Sequence, residues 1–337
     1  MVKRFLIFGA ITTSFAVLGF MDWRSFVNAL MAIPVSAIGL VFGILFVVEL
    51  LKSLRWALYL RAARLPISVL DAVTSYLAAQ TACTLPGGSV FSARLAEEHH
   101  PGVRMRQAAA GLVIQSLCDW VALALVAAGA VLLTHQWRLQ LAFPALTLCV
   151  SLGAMVLLRS EALGKWTLQS LSRWRLTRRF TSVEEDFRTH LVRMLRLPVI
   201  SNGVLLSIAT TFLSITAITV LANGMTARGL AFSEGMYAHT FSMMAQAALP
   251  SVGGVSAGDI GLAGMLRYLG MGFGHAAMVS FTYRSLSTLF RTLTGVVTLV
   301  FRYPHLLVGT AHPSRWLGLR AVLRGLPSGS PASGGED

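Results

Sequence analysis

The sequence predicts an all-α polytopic membrane protein, and three observations carry that prediction. Of the 337 residues 55% are hydrophobic and only 12% charged, with a mean hydropathy of +0.67; a soluble domain carries about twice that charged share. The apolar residues come in runs of about 20, the length that crosses the hydrocarbon layer as a helix. Lys and Arg collect in alternate connections between the runs, the pattern that holds loops on the cytoplasmic side. Together these lead us to expect about six to eight transmembrane helices, with two opposed Pro/Gly-broken re-entrant hairpins in an inverted repeat.

In chain order, M-V-K-R followed by the apolar run 5–21 begins like a signal sequence, but no small-x-small cleavage site precedes Asp22, so it is read as a first membrane helix. Runs 34–51, 108–133, 141–158, 199–221 and 276–300 are the other full spans. Lys3 and Arg4 put the N-terminus inside, and Lys52, Arg55, Arg61 and Arg64 put the end of the second helix there too. The loop 159–196 is the most basic stretch, and Trp166, Trp174 and Phe180 interleave with its arginines. That mixture suits either an amphipathic segment on an anionic leaflet or a plain topology-setting loop. Arg302, Arg315, Arg320 and Arg324 keep the C-terminus inside, where residues 313–337 form a disordered tail.

The net charge of +14, from 28 basic and 14 acidic residues, is assigned to this topology and to anionic headgroups. Without a recognition module it implies no nucleic-acid partner. Cys83, Cys118 and Cys149 are far apart in apolar segments and read as small hydrophobes. No cofactor or metal is expected.

Two further apolar stretches, 69–85 and 232–249, run into breaks that resemble one another. The first is L-P-G-G at 85–88, the second L-P-S-V-G-G-V-S-A-G-D at 249–259. Proline cannot continue an interior helical ladder and paired glycines accept almost any backbone angle, so each helix stops at membrane depth. Backbone freed there must face protein or a water-filled cavity. Corresponding breaks in two halves of a chain point to a transporter-type binding site. Charge sidedness has the first hairpin enter and return on the inner face and the second on the outer; two full short spans in place of each hairpin give the same sides. The register agrees, with Pro86 and Pro250 164 residues apart and Asp119 and Arg284 165 apart.

An ionisable residue at a helix centre in the membrane costs about 2.5–3.5 kcal/mol on insertion scales, so each deserves a named partner. Asp119 and Arg284 are expected to face one another near the midplane, as a packing pair or as substrate contacts. Arg94 and Asp259 follow the breaks; Arg94 suits a phosphate, with N–H groups of Gly87 and Gly88, and Asp259 a headgroup donor or a proton, although both also suit a helix end. Pro86, Gly87, Gly88, Pro250, Gly253 and Gly254 would wall the pocket, with Arg291 a third cation. Glu49 and Arg55 lie near the inner boundary, Arg55 beside Trp56 as an interface anchor. His239 and His275 are isolated and read as satisfied polar side chains. Gly258, Gly261 and Gly264 recur every three residues, which equally marks close helix packing.

L-K-S-L-R-W at 51–56, L-P-G-G with Arg94, S-L-C-D-W around Asp119, the second break, and T-Y-R-S-L at 282–286 resemble, in order and spacing, the transmembrane region of lysylphosphatidylglycerol synthases, the flippase-like domain family. The resemblance covers about 34–300 and implies translocation of a phospholipid or lipid-linked glycan in a bacterial inner membrane. It implies one flippase-like domain over 1–312, with repeat halves at about 34–158 and 197–301. Members often follow the first Pro-Gly with a further glycine and a glutamate, where this chain has Val90 and Phe91, and Asp259 stands where glutamate is expected. The aminoacyl-transfer domain of the full-length synthases is not in this sequence, so lysyl-lipid synthesis is not expected.

Membrane lipids are the expected partners. An enzymatic alternative, a polyprenyl-phosphate phosphatase or transferase, would use Ser89 and Ser92 after Pro86, but no paired glutamates sit beside them. A third reading is a non-transporting accessory subunit that partners an envelope-glycan glycosyltransferase.

Overall fold

The computed structural model describes residues 33–82, 90–100, 102–133, 141–160, 184–226, 229–248 and 257–304. The first Pro/Gly break, residues 249–256 of the second, the apolar run 5–21, the aromatic part of the basic loop and the tail lie outside these residues. Among the described residues the chain is all helix. In order they are α1 (Val35–Ala62), α2 (Val69–Ala79) with a 3-10 turn (Gln80–Ala82), α3 (Val90–His99), α4 (Met105–Leu133) and α5 (Ala142–Arg159), then α6 (Glu184–Met194), α7 (Leu197–Met225), α8 (Phe232–Ala248), α9 (Ala257–Tyr268) and α10 (Phe273–Arg302).

Among the described residues four helices, α1, α4, α5 and α7, are long and apolar enough to cross a membrane, as an α polytopic membrane protein requires. The expected span 276–300 does form α10, a helix of 30 residues, but Arg284, Arg291 and Arg302 lower its hydropathy. The second expected span does not stop at Leu51: α1 continues through Lys52, Arg55 and Arg61 to Ala62, because nothing in 52–62 breaks a helix. It ends where Arg64 takes a left-handed backbone (φ 59) and Leu65 N–H bonds back to the Leu60 carbonyl at 3.1 Å, just ahead of Pro66. A residue in that conformation closes helix ends, and a following proline forbids continuation.

A sequence of long helix, short helix, break, short helix, long helix occurs twice. It runs α1, α2, α3, α4 and then α7, α8, α9, α10, with α1 and α7 of 28 and 29 residues and α4 and α10 of 29 and 30. The helix ends sort to two faces. At one, His100 after α3 and Arg302 at the end of α10 both meet Asp71 at the start of α2, at 3.2 and 2.5 Å. His190 of α6 bonds the Ala63 carbonyl, 3.1 Å, at the end of α1 on the same face. At the other, a cavity of about 360 Å³ is lined by Met225 ending α7, Glu234 of α8, Leu269 after α9 and His275 of α10. So α2 begins and α3 ends at the first face, while α8 begins and α9 ends at the second.

The apolar core is divided. Trp56, Tyr59 and Leu60 on the last third of α1 pack with α2, α3, α4 and α6. Val41, Leu45 and Val48 on its first half pack with α7, α9 and α10. Between the two lies the polar turn-and-a-half of α1 that holds Glu49, Lys52 and Arg55.

Small residues set the closest approaches. A Cβ on Gly258 would come within 2.9 Å of Gln246 Cβ, and one on Gly261 within 3.3 Å of Ser242 Cα, so α9 lies tightly on α8. Gly264, the third of that triplet, has nothing within 4 Å. Gly295 on α10 seats the turn before the first break: a Cβ there would strike the Thr81 amide and lie 2.9 Å from the Gln80 carbonyl carbon. Replacing Gly295 with Ala should therefore destabilise the fold by about 1–3 kcal/mol, the usual cost of overpacking. Gly264→Ala should be neutral or stabilise by up to about 1 kcal/mol through helix propensity. Thermal unfolding of the two variants in detergent tests the difference; equal midpoints would show that α10 does not need its glycine against the turn.

Candidate functional site

Of the ion pairs among the described residues, three bear on the expected site. On α1, Arg55 has no exposed surface. A buried guanidinium must be matched by a carboxylate, because removing one partner leaves an uncompensated charge. Asp119 of α4 supplies it in a two-pronged arrangement, Arg55 Nη1 donating to Oδ1 at 2.6 Å and Nη2 to Oδ2 at 2.9 Å. Ser207 of α7 adds its hydroxyl to the same guanidinium and donates in turn to the Gly203 carbonyl at 2.9 Å. The pair is lopsided: the arginine is sealed, whereas the Asp119 side chain is 45% exposed.

The second pair joins Asp259, in the first turn of α9, to Arg284 of α10. Ser280 braces the same junction by donating to the Asp259 carbonyl at 2.8 Å. Both charged side chains are partly open. The third joins Glu49 of α1 to two cations, Arg291 Nε at 2.9 Å and Lys52 Nζ at 3.3 Å, both on Oε1. Lys52 also lies within electrostatic reach of Asp119 and Arg55, so the first and third pairs form one polar cluster on successive turns of α1.

These contacts redraw the expected site. Asp119 does not pair with Arg284; each finds a nearer partner, because α4 lies directly against α1 and α9 against α10. Glu49–Arg291 joins the two sequence halves, as Asp71–Arg302 does at the first face. Arg55 is no interface anchor but the most buried charge among the described residues, and Glu49 is likewise sealed in the protein. Arg94 lies on α3 and is paired with Glu97 one turn on, 2.5 Å away. His239 is buried on α8 and His275 lines the cavity at the second face. Pro86, Gly87, Gly88, Pro250, Gly253 and Gly254 lie outside the described residues. Lys52 was passed over in the sequence as a topology charge. The signal was there: Glu49, Lys52 and Arg55 fall at intervals of three, which stacks them on consecutive turns.

The lopsided burial gives a test. Asp119→Ala leaves Arg55 charged and sealed, and should cost about 3–5 kcal/mol. Asp259→Ala leaves Arg284 able to reach water, and should cost well under half of that. Unfolding midpoints of the two variants in the same detergent read the difference, and an unshifted midpoint for Asp119→Ala would remove the structural role of the pair.

With the site in view, relatives can be compared. No curated protein and no solved structure matches the chain. A family profile does, described as the lysylphosphatidylglycerol synthase TM region, and the match runs over residues 6–295. It takes in Glu49, Lys52, Arg55, Asp119, Asp259, Arg284 and Arg291 alike. The chain therefore belongs to the lysylphosphatidylglycerol synthase transmembrane-region family, membrane proteins of the flippase-like kind.

Proposed function

We propose that this protein is a flippase-like transporter which carries the headgroup of a phospholipid or lipid-linked glycan across a bacterial inner membrane while the acyl tails stay in lipid. The observation that carries the reading is the set of ion pairs, Arg55–Asp119, Asp259–Arg284 and Glu49–Arg291, inside a bundle whose long helices are otherwise apolar. Charged groups are rare at membrane depth and face a cavity or pathway when they occur. Asp119 and Arg284 are each part-exposed while bonded, which leaves them able to meet a polar headgroup. The basic face, with Arg61, Arg104, Arg193 and Arg302, is the cytoplasmic one on the positive-inside rule.

The sorting of helix ends supports reading α2–α3 and α8–α9 as opposed re-entrant hairpins of an inverted repeat. In inverted-repeat transporters the substrate site lies near the bilayer midplane, at the interface of the repeats. Alternate opening of that pocket to the two faces moves the headgroup. Membrane lipids are then the substrates and neighbours of the protein, and no chemical step is needed.

The reading is tested by reconstituting the protein in vesicles with a fluorescent headgroup-labelled lipid and timing its transfer between leaflets. Arg284→Ala and Asp259→Asn should each slow transfer by about tenfold or more, the loss expected when a charge-assisted contact worth about 1.5–3 kcal/mol goes. Rates at the wild-type level in both variants, with the fold intact by thermal midpoint, would overturn it.

A further inference from the structure

Glu49 is the least expected of the buried groups. Its side chain is 3% exposed, whereas the two cations on it, Lys52 and Arg291, are 22% and 35% exposed. The carboxylate is the closed floor of the arrangement and the cations form its open rim. Both donate to Oε1, at 3.3 and 2.9 Å, which holds the two nitrogens no more than about 6 Å apart. Charge-assisted N–H···O bonds run about 2.7–2.9 Å, so this spacing lets two oxygens of one phosphate bridge them. The other carboxylate oxygen, Oε2, is buried with no hydrogen-bond partner among the described residues. A sealed oxygen carrying charge without a donor is costly, and neutralisation removes most of that cost.

The cluster also carries surplus positive charge. Lys52, Arg55 and Arg291 face Glu49 and Asp119, three cations against two carboxylates. The other groups that face Glu49 are uncharged phenols, Tyr76 of α2 and Tyr283 of α10, both within its electrostatic reach. His239 of α8 lies within reach of Lys52. From α4, Gln115 donates to the Tyr76 hydroxyl at 3.2 Å, and α7 contributes the Ser207 hydroxyl on Arg55 and Ser214 on Tyr283.

We propose that Lys52 and Arg291 are a binding site for a phosphate-type anion, which takes the place of the Glu49 carboxylate while Glu49 takes up a proton. The O–H bond forms on Glu49 with a proton from bulk hydronium, whose own O–H bond breaks to leave water, and no other covalent bond changes. The proton adds one positive charge to the cluster and a phosphate monoanion removes one, so the cluster ends with the net charge it began with. An anion therefore enters only together with a proton. Glu49 is a stand-in anion that keeps the two cations together while the site is empty. The proposal rests on the transporter reading only for the claim that the bound anion is then moved. The binding itself stands apart from it.

The experiment uses the full chain in detergent at low buffer strength, with a pH-indicator dye. The probes are dihexanoyl phosphatidylglycerol, inorganic phosphate and dihexanoylglycerol, which has no phosphate. Wild type should take up about one proton per bound phosphatidylglycerol, and its affinity should rise at least about tenfold as pH falls from about 8 to about 5, since protonation favours the exchange. Dihexanoylglycerol should cause no uptake. Uptake with inorganic phosphate as well would make the free anion sufficient; uptake with the lipid alone would assign the site to headgroups.

Glu49→Gln should bind at all pH values without proton uptake, and Arg291→Met should lose about tenfold or more in affinity throughout. Proton uptake by the wild type decides, independent of how either variant folds: binding without uptake, or with pH-independent affinity, overturns the proposal. Proton-coupled binding with no lipid transfer in vesicles would keep this site and remove the transporter reading. Lipid transfer with no proton-coupled binding would do the reverse.

Discussion

The burial of Arg55 is the constraint on which the rest of the first half depends. A guanidinium without exposed surface can be held in an apolar bundle only if its donors are met, and the groups that meet them come from two other helices, Asp119 of α4 and Ser207 of α7. That requirement fixes α1 in rotation and height against both neighbours. It also explains why Trp56 and Tyr59, beside and one turn past the arginine, are fully buried. Glycines opposite them make room: a Cβ on Gly111 would lie 3.1 Å from the Trp56 ring, and one on Gly203 3.1 Å from the Tyr59 ring carbon and from Cys118 Sγ.

Since α1 packs its first half into one apolar cluster and its last third into another, the polar segment 49–55 is where the two meet. Apolar packing alone would tolerate some slippage of one cluster against the other, because burial is not directional. The ion pairs are directional. Arg55–Asp119 stays within the first sequence half, Asp259–Arg284 within the second, and Glu49–Arg291 crosses between them. Charge thus supplies the register that the hydrophobic surfaces leave open.

Most of the fold was legible in the sequence because span length and Pro/Gly interruption are local properties. Helices α4, α5 and α7 lie within a few residues of the apolar runs that announced them. The course of α1 beyond Leu51 was not legible, because Lys52 and Arg55 look like the end of a span to any rule that counts hydropathy. Only the partners, 64 and more residues away, show that the charges are inside. The same limit applies to the site. Asp119, Asp259, Arg284 and Arg291 stood out as charges in apolar runs, but the pairing of Asp119 with Arg284 assumed that matching places in two halves must touch. Equivalent positions in a repeat have equivalent surroundings, and each finds its partner within its own surroundings.

The three pairs differ in how much a change of conformation would cost them. Arg55 cannot leave Asp119 or Ser207 without stranding a sealed charge, so it ties α1 to α4 and to α7 together. Asp259 and Arg284 are short-range partners on consecutive helices and travel together for the same reason of connectivity. Glu49–Arg291 is different: its cation is part-exposed and its carboxylate has a second way to become neutral, by protonation. Of the polar contacts that cross between the halves, it therefore opens at lower cost than Arg55–Ser207, whose guanidinium is sealed.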